Sequence, residues 1–235
     1  MSTAGAQRRA NCAAQVFVDD VGHPVLTDSD RHHLVKVRRL RDGEEVVASD
    51  GRGNWRVCVM AGEDLDAAGE LEFEERSSTF GVAMAPVKGD RSEWAVAKLT
   101  ELGVASITAL ITERGAVRWD AHQAHKVLER WRRVSVEAAC QSRQVHLPTI
   151  EGPLRVSDLK GPGVAMAALG GAGLTQEVST ILVGPEGGWS DEELSAGFDR
   201  VELAGGVLRT ETAAVVAGAL LGWLRGGTVP LSDIR

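Results

Sequence analysis

The chain has little of what builds stapled or metal-centred folds. Its three cysteines, Cys12, Cys58 and Cys140, lie far apart, with no CxxC pair and no histidine at metal-ligand spacing. That argues against a disulfide scaffold and a zinc module, and no metal is expected. No apolar core of signal-peptide length follows Arg8 and Arg9, so export is not expected. The longest nearly unbroken apolar run, Ala213 to Leu224, is about half of the ~20 residues that a membrane span needs, and reads as a buried helix. The chain has no GxxxxGK[ST] and no GxSxG, which excludes a P-loop and a nucleophile elbow. The glycine-rich run Leu169-Gly170-Gly171-Ala172-Gly173 follows a strand but precedes no capped helix, so a dinucleotide fingerprint is not expected.

What is present is an ordinary soluble balance. In 235 residues 43% are apolar and 25% charged, enough for one large α/β unit or a small domain joined to a medium one. The net charge of −7 argues against a nucleic-acid partner on average. Residues 31–41, RHHLVKVRRLR, are the exception: Arg31, Lys36, Arg38, Arg39 and Arg41 stand there without an acid among them.

Two rhythms divide the chain. Up to about residue 80, short strands and turns surround one helix, capped by Thr27, Asp28 or Ser29, with Leu34, Val37 and Leu40 on its inner side and Lys36, Arg39 and Arg38 outward. EEVVASD and NWRVCVM flank a GRG turn, and Glu70 to Arg76 is a further candidate strand, so 1–80 is expected to be a small β-rich domain of barrel type. From Gly81 near-continuous apolar strands alternate with helices, the pattern of a parallel sheet covered on both faces, and 81–235 is expected to be an α/β domain. Its strands are GVAMAPV, SITALIT, VAMAAL, TILVG and VELA. Its helices start at Asp90 (with Glu93 at capping-box spacing and Ala95, Leu99 and Leu102 inward), at about Asp120, at Ser190 (with Glu193) and at about Glu211.

In an open parallel sheet ligands sit beyond the carboxyl ends of the strands. Two loops answer that description. Gly184-Pro185-Glu186-Gly187-Gly188 lets backbone approach a ligand closely, and it serves equally as a tight turn with Glu186 in solvent. Ala204 to Ala213 packs Arg209, Thr210, Glu211 and Thr212 directly before an apolar helix. A helix cap accounts for Thr210 and Glu211 but not for Arg209, whose charge is misplaced at a helix N-terminus unless it faces an anion. His32 and His33 sit in the basic helix, and His122, His125 and His146 read as helix-surface or loop residues.

HHLVKVRRLRDGEEV, KGDRSEWAVAKLTELGV, EAACQSRQVHLPTI, LVGPEGGWSDEEL and VLRTETAAVVAGALL follow one another with the order and spacing of a known family. The chain resembles the SPOUT-class methyltransferases that modify N3 of a uridine in bacterial 16S ribosomal RNA, from about Val16 to Leu224. The resemblance implies a small N-terminal PUA-like β-barrel that binds RNA, joined to an α/β domain with a trefoil-knotted parallel sheet that binds S-adenosylmethionine and forms a homodimer. It implies a cytoplasmic enzyme acting on the small ribosomal subunit. Cofactor contacts are implied at Val183, Gly184, Pro185, Glu186, Gly187, Gly188, Leu203, Leu208, Thr210, Thr212 and Ala213. Arg209 is the implied catalytic cation that stabilises the uridinate; Glu211 and Glu186 are candidate proton acceptors. RNA contacts are expected from Arg31, Lys36, Arg38, Arg39 and Arg41, and from the basic stretch that runs from Arg114 to Arg143. Ala204-Gly205-Gly206 departs from the family's Gly-x-Arg, which leaves a non-catalytic RNA-binding protein on the same scaffold as the alternative. Strand and helix alternation alone also allows a conventional dinucleotide fold; cofactor binding separates the three.

Overall fold

A computed structural model describes residues 3–77, 79–117 and 119–226. The chain divides into two compact units, Met1–Ser77 with Val136–Leu147, and Ser78–Ser135 with Pro148–Arg235. Residues 136–147, placed in the second domain by the sequence reading, thus fall in the first unit.

The first unit contains α1 (Thr3–Asn11), β1 (Ala14–Phe17), α2 (Asp28–His32), β2 (Glu45–Ser49), β3 (Asn54–Ala61), β4 (Asp64–Ala67) and β5 (Glu72–Phe73). β2 and β3 form the antiparallel pair that the glycine turn predicts, β1 joins β2 in parallel, and β4 and β5 pair with β3. Val16, Val46, Ala48, Cys58 and Met60 close its core around Leu34. Thr27 is the cap of α2, its Oγ1 accepting from Asp30 N at 3.1 Å. Of the expected inner face, Leu34 is buried and Leu40 packs partly buried against the same core, but Val37 is 60% exposed. A π-helical turn, His33–Val37, follows α2, with Arg38 N bonded to His33 O, and Arg39 is left-handed at φ 58°. The wider turn moves Val37 out of the 3.6-residue register on which the expectation rested. The candidate strand Glu70 to Arg76 shrinks to its two paired residues, Glu72 and Phe73.

In the second unit the order is β6 (Gly81–Met84), α3 (Arg91–Glu101), β7 (Ser106–Ile111), α4 (Ala121–Ser142, its last turns in the first unit), β8 (Thr149–Arg155), β9 (Val164–Ala172), β10 (Thr180–Val183), α5 (Asp191–Leu194), β11 (Asp199–Val201) and α6 (Thr210–Gly226). Six parallel strands form one sheet in the order β11-β9-β10-β6-β7-β8. Successive residues of a strand face opposite sides, so Val82, Ala165 and Ile181 join one core while Ala83, Met166 and Leu182 join the other. Burial on both faces is what the unbroken apolar runs predict. Against the first face pack Ala95, Val96 and Leu99 of α3 and Ala214, Ala217 and Leu221 of α6, all fully buried. A Cβ at Gly218 would lie 2.6 Å from Leu99 Cδ2, so a larger residue there would force the buried Leu99 side chain to shift. Each buried leucine here contributes roughly 1.5–3 kcal/mol.

Three local expectations change. Asp90 precedes α3 without a side-chain cap, and Glu93 pairs with Arg130 Nε at 3.1 Å rather than closing a capping box. Leu102, the residue that caps the carboxyl end of α3, is 39% exposed. The expected strand VAMAAL runs on past Leu169 to Ala172 as β9; a Cβ on Gly171 would lie within 2.6 to 2.8 Å of the Arg200 and Val201 backbone. The Ser190–Glu193 capping box does form, with Glu193 N on Ser190 Oγ at 3.1 Å and Ser190 N on Glu193 Oε2 at 2.9 Å.

Candidate active site

The carboxyl ends of β9, β10 and β11 surround a cavity of about 380 Å³. Its walls are Ala167, Ala168 and Leu169 from β9, Val183 to Glu186 with Gly188 and Trp189 after β10, Leu194, Arg200 from β11, then Glu202 to Ala204, Gly206 to Leu208, Thr210 and Ala213. The size falls within the ~300–1,000 Å³ of small-molecule sites. Small and apolar residues that make up most of the wall suit a flat heterocycle, and Arg200 and Glu202 add charge of both signs.

The two glycine-rich loops are joined. Thr210 Oγ1 donates to Gly184 O at 2.9 Å, and Thr210, 3% exposed, is the first residue of α6 rather than its cap. This corrects the reading of Thr210 as an N-cap: the hydroxyl braces one loop against the other. Trp189 Nε1 donates to Ala167 O at 2.8 Å, tying the first loop to the middle of β9. Glu193 Oε1 accepts Glu113 N at 3.0 Å and anchors the capping box to the segment after β7. Thr210→Val keeps the shape but leaves the Gly184 carbonyl without its donor. It is expected to lower stability by about 1–3 kcal/mol, read as a shift of the urea midpoint at unchanged m-value.

Arg91, the first residue of α3, holds the carboxylates together. Its Nη1 lies 2.6 Å from Glu186 Oε1 and 3.1 Å from Glu211 Oε1. Hydrogen bonding to Arg91 holds the Glu186 carboxyl below its ordinary range, which weakens Glu186 as a proton acceptor. Glu211 is 7% exposed, in the first turn of α6 as expected. Arg209 is exposed, and among the described residues no carboxylate stands within ion-pair distance of its guanidinium. Its charge also helps to lower the Glu186 pKa.

Among the implied cofactor contacts, Val183, Gly184, Pro185, Glu186, Gly188, Leu203, Leu208, Thr210 and Ala213 line the cavity. Gly187 lines a neighbouring cleft instead, and Thr212 is exposed and lines neither. Sequence reasoning missed Ala167 to Leu169 of β9, Trp189, Leu194, Arg200, Glu202 and Arg91. The signal for β9 lay in strand order: it is the parallel neighbour of β10, and a sequence does not print its neighbours.

The cations expected to contact RNA are only partly free. Arg31 pairs with Asp28 at 2.9 Å and Asp64 at 2.8 Å, Lys36 lies 4.0 Å from Glu63, and Arg38 donates to the Ala13 carbonyl. Arg39 and Arg41 are exposed. Arg114 donates to Trp189 O at 2.8 Å, and Arg143 donates to Cys140 O at 2.7 Å and Cys12 O at 2.9 Å. Burial lowers the pKa of Arg143, which braces the first unit.

A family model described as an RNA methyltransferase domain matches residues 74–222. The chain belongs to this RNA methyltransferase family. A second model, an RNA methyltransferase PUA domain, matches residues 26–68. The chain is 33% identical to the ribosomal RNA small subunit methyltransferase E of Mycobacterium bovis, over 87% of its own length and 88% of that protein. It is similar to a methyltransferase from Legionella pneumophila solved with bound cofactor SAM: TM-score 0.77, 25% identity, 88% of this chain and 96% of that one. The ribosomal RNA small subunit methyltransferase E of Neisseria gonorrhoeae, solved with S-adenosyl methionine, shares the fold at TM-score 0.77 and 24% identity, covering 90% of this chain and 97% of that one. Among the described residues no helix is long and apolar enough to cross a membrane.

Proposed function

We propose that this RNA methyltransferase transfers a methyl group from S-adenosylmethionine to N3 of a uridine in 16S ribosomal RNA. The observation that carries the reading is the cavity between the two braced loops at the carboxyl ends of β9, β10 and β11, in a chain of this family. A nucleoside with an amino-acid tail needs an apolar slot edged by backbone donors and acceptors, and this cavity fits that need. Val183 to Glu186, Gly188, Leu203, Leu208, Thr210 and Ala213 are the residues that would hold it. When bound, S-adenosylmethionine supplies a methyl group on a sulfonium centre.

Uridine N3 carries a proton at neutral pH and gains negative charge as the proton leaves. Arg209, exposed and with no carboxylate at ion-pair distance among the described residues, is assigned to stabilise that charge. Glu211, in the first turn of α6 two residues after Arg209, is the carboxylate assigned to accept the proton; Arg91 pairs with it as it does with Glu186. The reading includes the trefoil-knotted threading of the sheet, a closed PUA-like barrel in the first unit that docks RNA through Arg39 and Arg41, a small-subunit substrate and a cytoplasmic location. It includes a homodimer across the outer face of α6, where Val216, Leu220 and Trp223 remain half-buried.

Titration calorimetry with S-adenosylmethionine tests the cofactor. A micromolar Kd is expected, with a stabilisation of about 2.7 kcal/mol at a hundredfold excess over Kd. Neither heat nor thermal stabilisation at millimolar ligand would sink the enzyme reading. Methylation at N3 blocks the pairing edge of the base, so a reverse-transcription stop in 16S RNA is expected to vanish on deletion of the gene.

A further inference from the structure

Beside the cofactor cavity, and sharing Pro185 and Glu186 with it, lies a second cleft of about 160 Å³. Its walls come from segments that follow three adjacent parallel strands: Pro86 to Lys88 with Arg91 after β6, Arg114 and Ala116 after β7, and Pro185 to Gly187 after β10. Three cations, Lys88, Arg91 and Arg114, converge there on a single acid, Glu186.

Each cation keeps donors open. Arg91 uses Nη1 for Glu186 and Glu211 and Nε for the Lys88 carbonyl at 3.4 Å, and among the described residues Nη2 has no partner. Arg114 uses Nη1 on Trp189 O, and among the described residues Nη2 and Nε have no partner. Lys88 is exposed and its ammonium has no partner among the described residues. Glu186, itself half exposed, is drawn onto Arg91 at 2.6 Å, so the cleft already attracts an oxyanion of the protein's own. A planar guanidinium beside an ammonium, over apolar Pro86, Val87 and Ala116, is the chemistry that takes a phosphodiester.

We propose that the cleft formed by Lys88, Arg91 and Arg114 is a phosphodiester subsite that seats the RNA strand next to the nucleotide being methylated. The proposal rests on the methyltransferase reading and adds where the RNA backbone enters. The acceptor comes from the β6 and β7 side and the donor from the β9 and β11 side, with the loop after β10 standing between them.

The test is Lys88→Gln in the full chain, with Lys88→Arg as the charge-keeping control, because an exposed unpaired lysine is dispensable for folding. Kd for a 16S RNA fragment is measured by fluorescence anisotropy from low to high salt, and Kd for S-adenosylmethionine by calorimetry. For Lys88→Gln, RNA affinity is expected to fall about 10-fold at low salt and the slope of log K against log salt to shrink by about 0.7, with S-adenosylmethionine affinity unchanged and Lys88→Arg close to wild type. Unchanged RNA affinity and slope would overturn the proposal. So would a loss of S-adenosylmethionine affinity matching the loss for RNA, which would assign the cations to the cofactor's carboxylate. Wild-type protein that binds the RNA yet methylates none would overturn the methyltransferase reading alone, because the slope comparison still decides the subsite.

Discussion

Arg209→Ala is expected to slow methyl transfer by about 100-fold or more while S-adenosylmethionine affinity stays within about twofold. A cation at the positive end of α6 is unfavourable unless an anion faces it, and among the described residues the nearby acids are bound elsewhere, Glu186 and Glu211 both to Arg91. On the proposed reading, the anion that suits Arg209 is one that exists only while the uridine loses its N3 proton. An interaction made only then lowers kcat and leaves ground-state binding alone. Single-turnover rates with saturating cofactor, set beside calorimetry, measure both quantities. Equal losses in rate and cofactor affinity would make Arg209 a binding residue.

Gly184→Ala is expected to weaken S-adenosylmethionine binding by about 10- to 100-fold, the equivalent of the ~1–3 kcal/mol that overpacking costs. A Cβ at Gly184 would stand 2.8 Å from Trp189 Cε2 and 3.1 Å from Cδ2. The ring cannot easily retreat, because it is 7% exposed and its Nε1 is tied to Ala167 O. It would be pushed toward the cavity whose wall it forms. Gly205→Ala is the control, since a Cβ there meets nothing within 4 Å, and its cofactor affinity is expected to match the wild type. Parallel titrations of the two variants decide the matter; equal affinities would show that Trp189 moves without cost.

The parts of the fold that could be read from sequence are those in which local period and burial coincide. Ala214, Ala217 and Leu221 recur at helical spacing and all reach the core, and the apolar run TILV becomes β10, buried from Ile181 to Val183. β8 was not legible, because Thr149–Arg155 alternates weakly and contains Gly152-Pro153, a pair that reads as a turn; its place on β7 comes from tertiary pairing. Val37 misled for the opposite reason, since a regular period continued in sequence where the backbone left the α-helical register. The site divides in the same way. Glycines between a strand and a helix marked both loops, so most of the cavity wall was foreseeable. The β9 part of the wall and Arg91 were not, because one depends on strand order and the other on a contact across 95 residues between Arg91 and Glu186.

Pro185 and Glu186 stand in the walls of both the cavity and the cleft. A shift of that one peptide segment on filling either space changes the other. If donor and acceptor occupy the two sides, their affinities form a thermodynamic cycle: the factor by which bound donor alters RNA affinity must equal the factor by which bound RNA alters donor affinity. Product release inherits the same coupling, because loss of the methyl group from one side changes how firmly the strand is kept on the other.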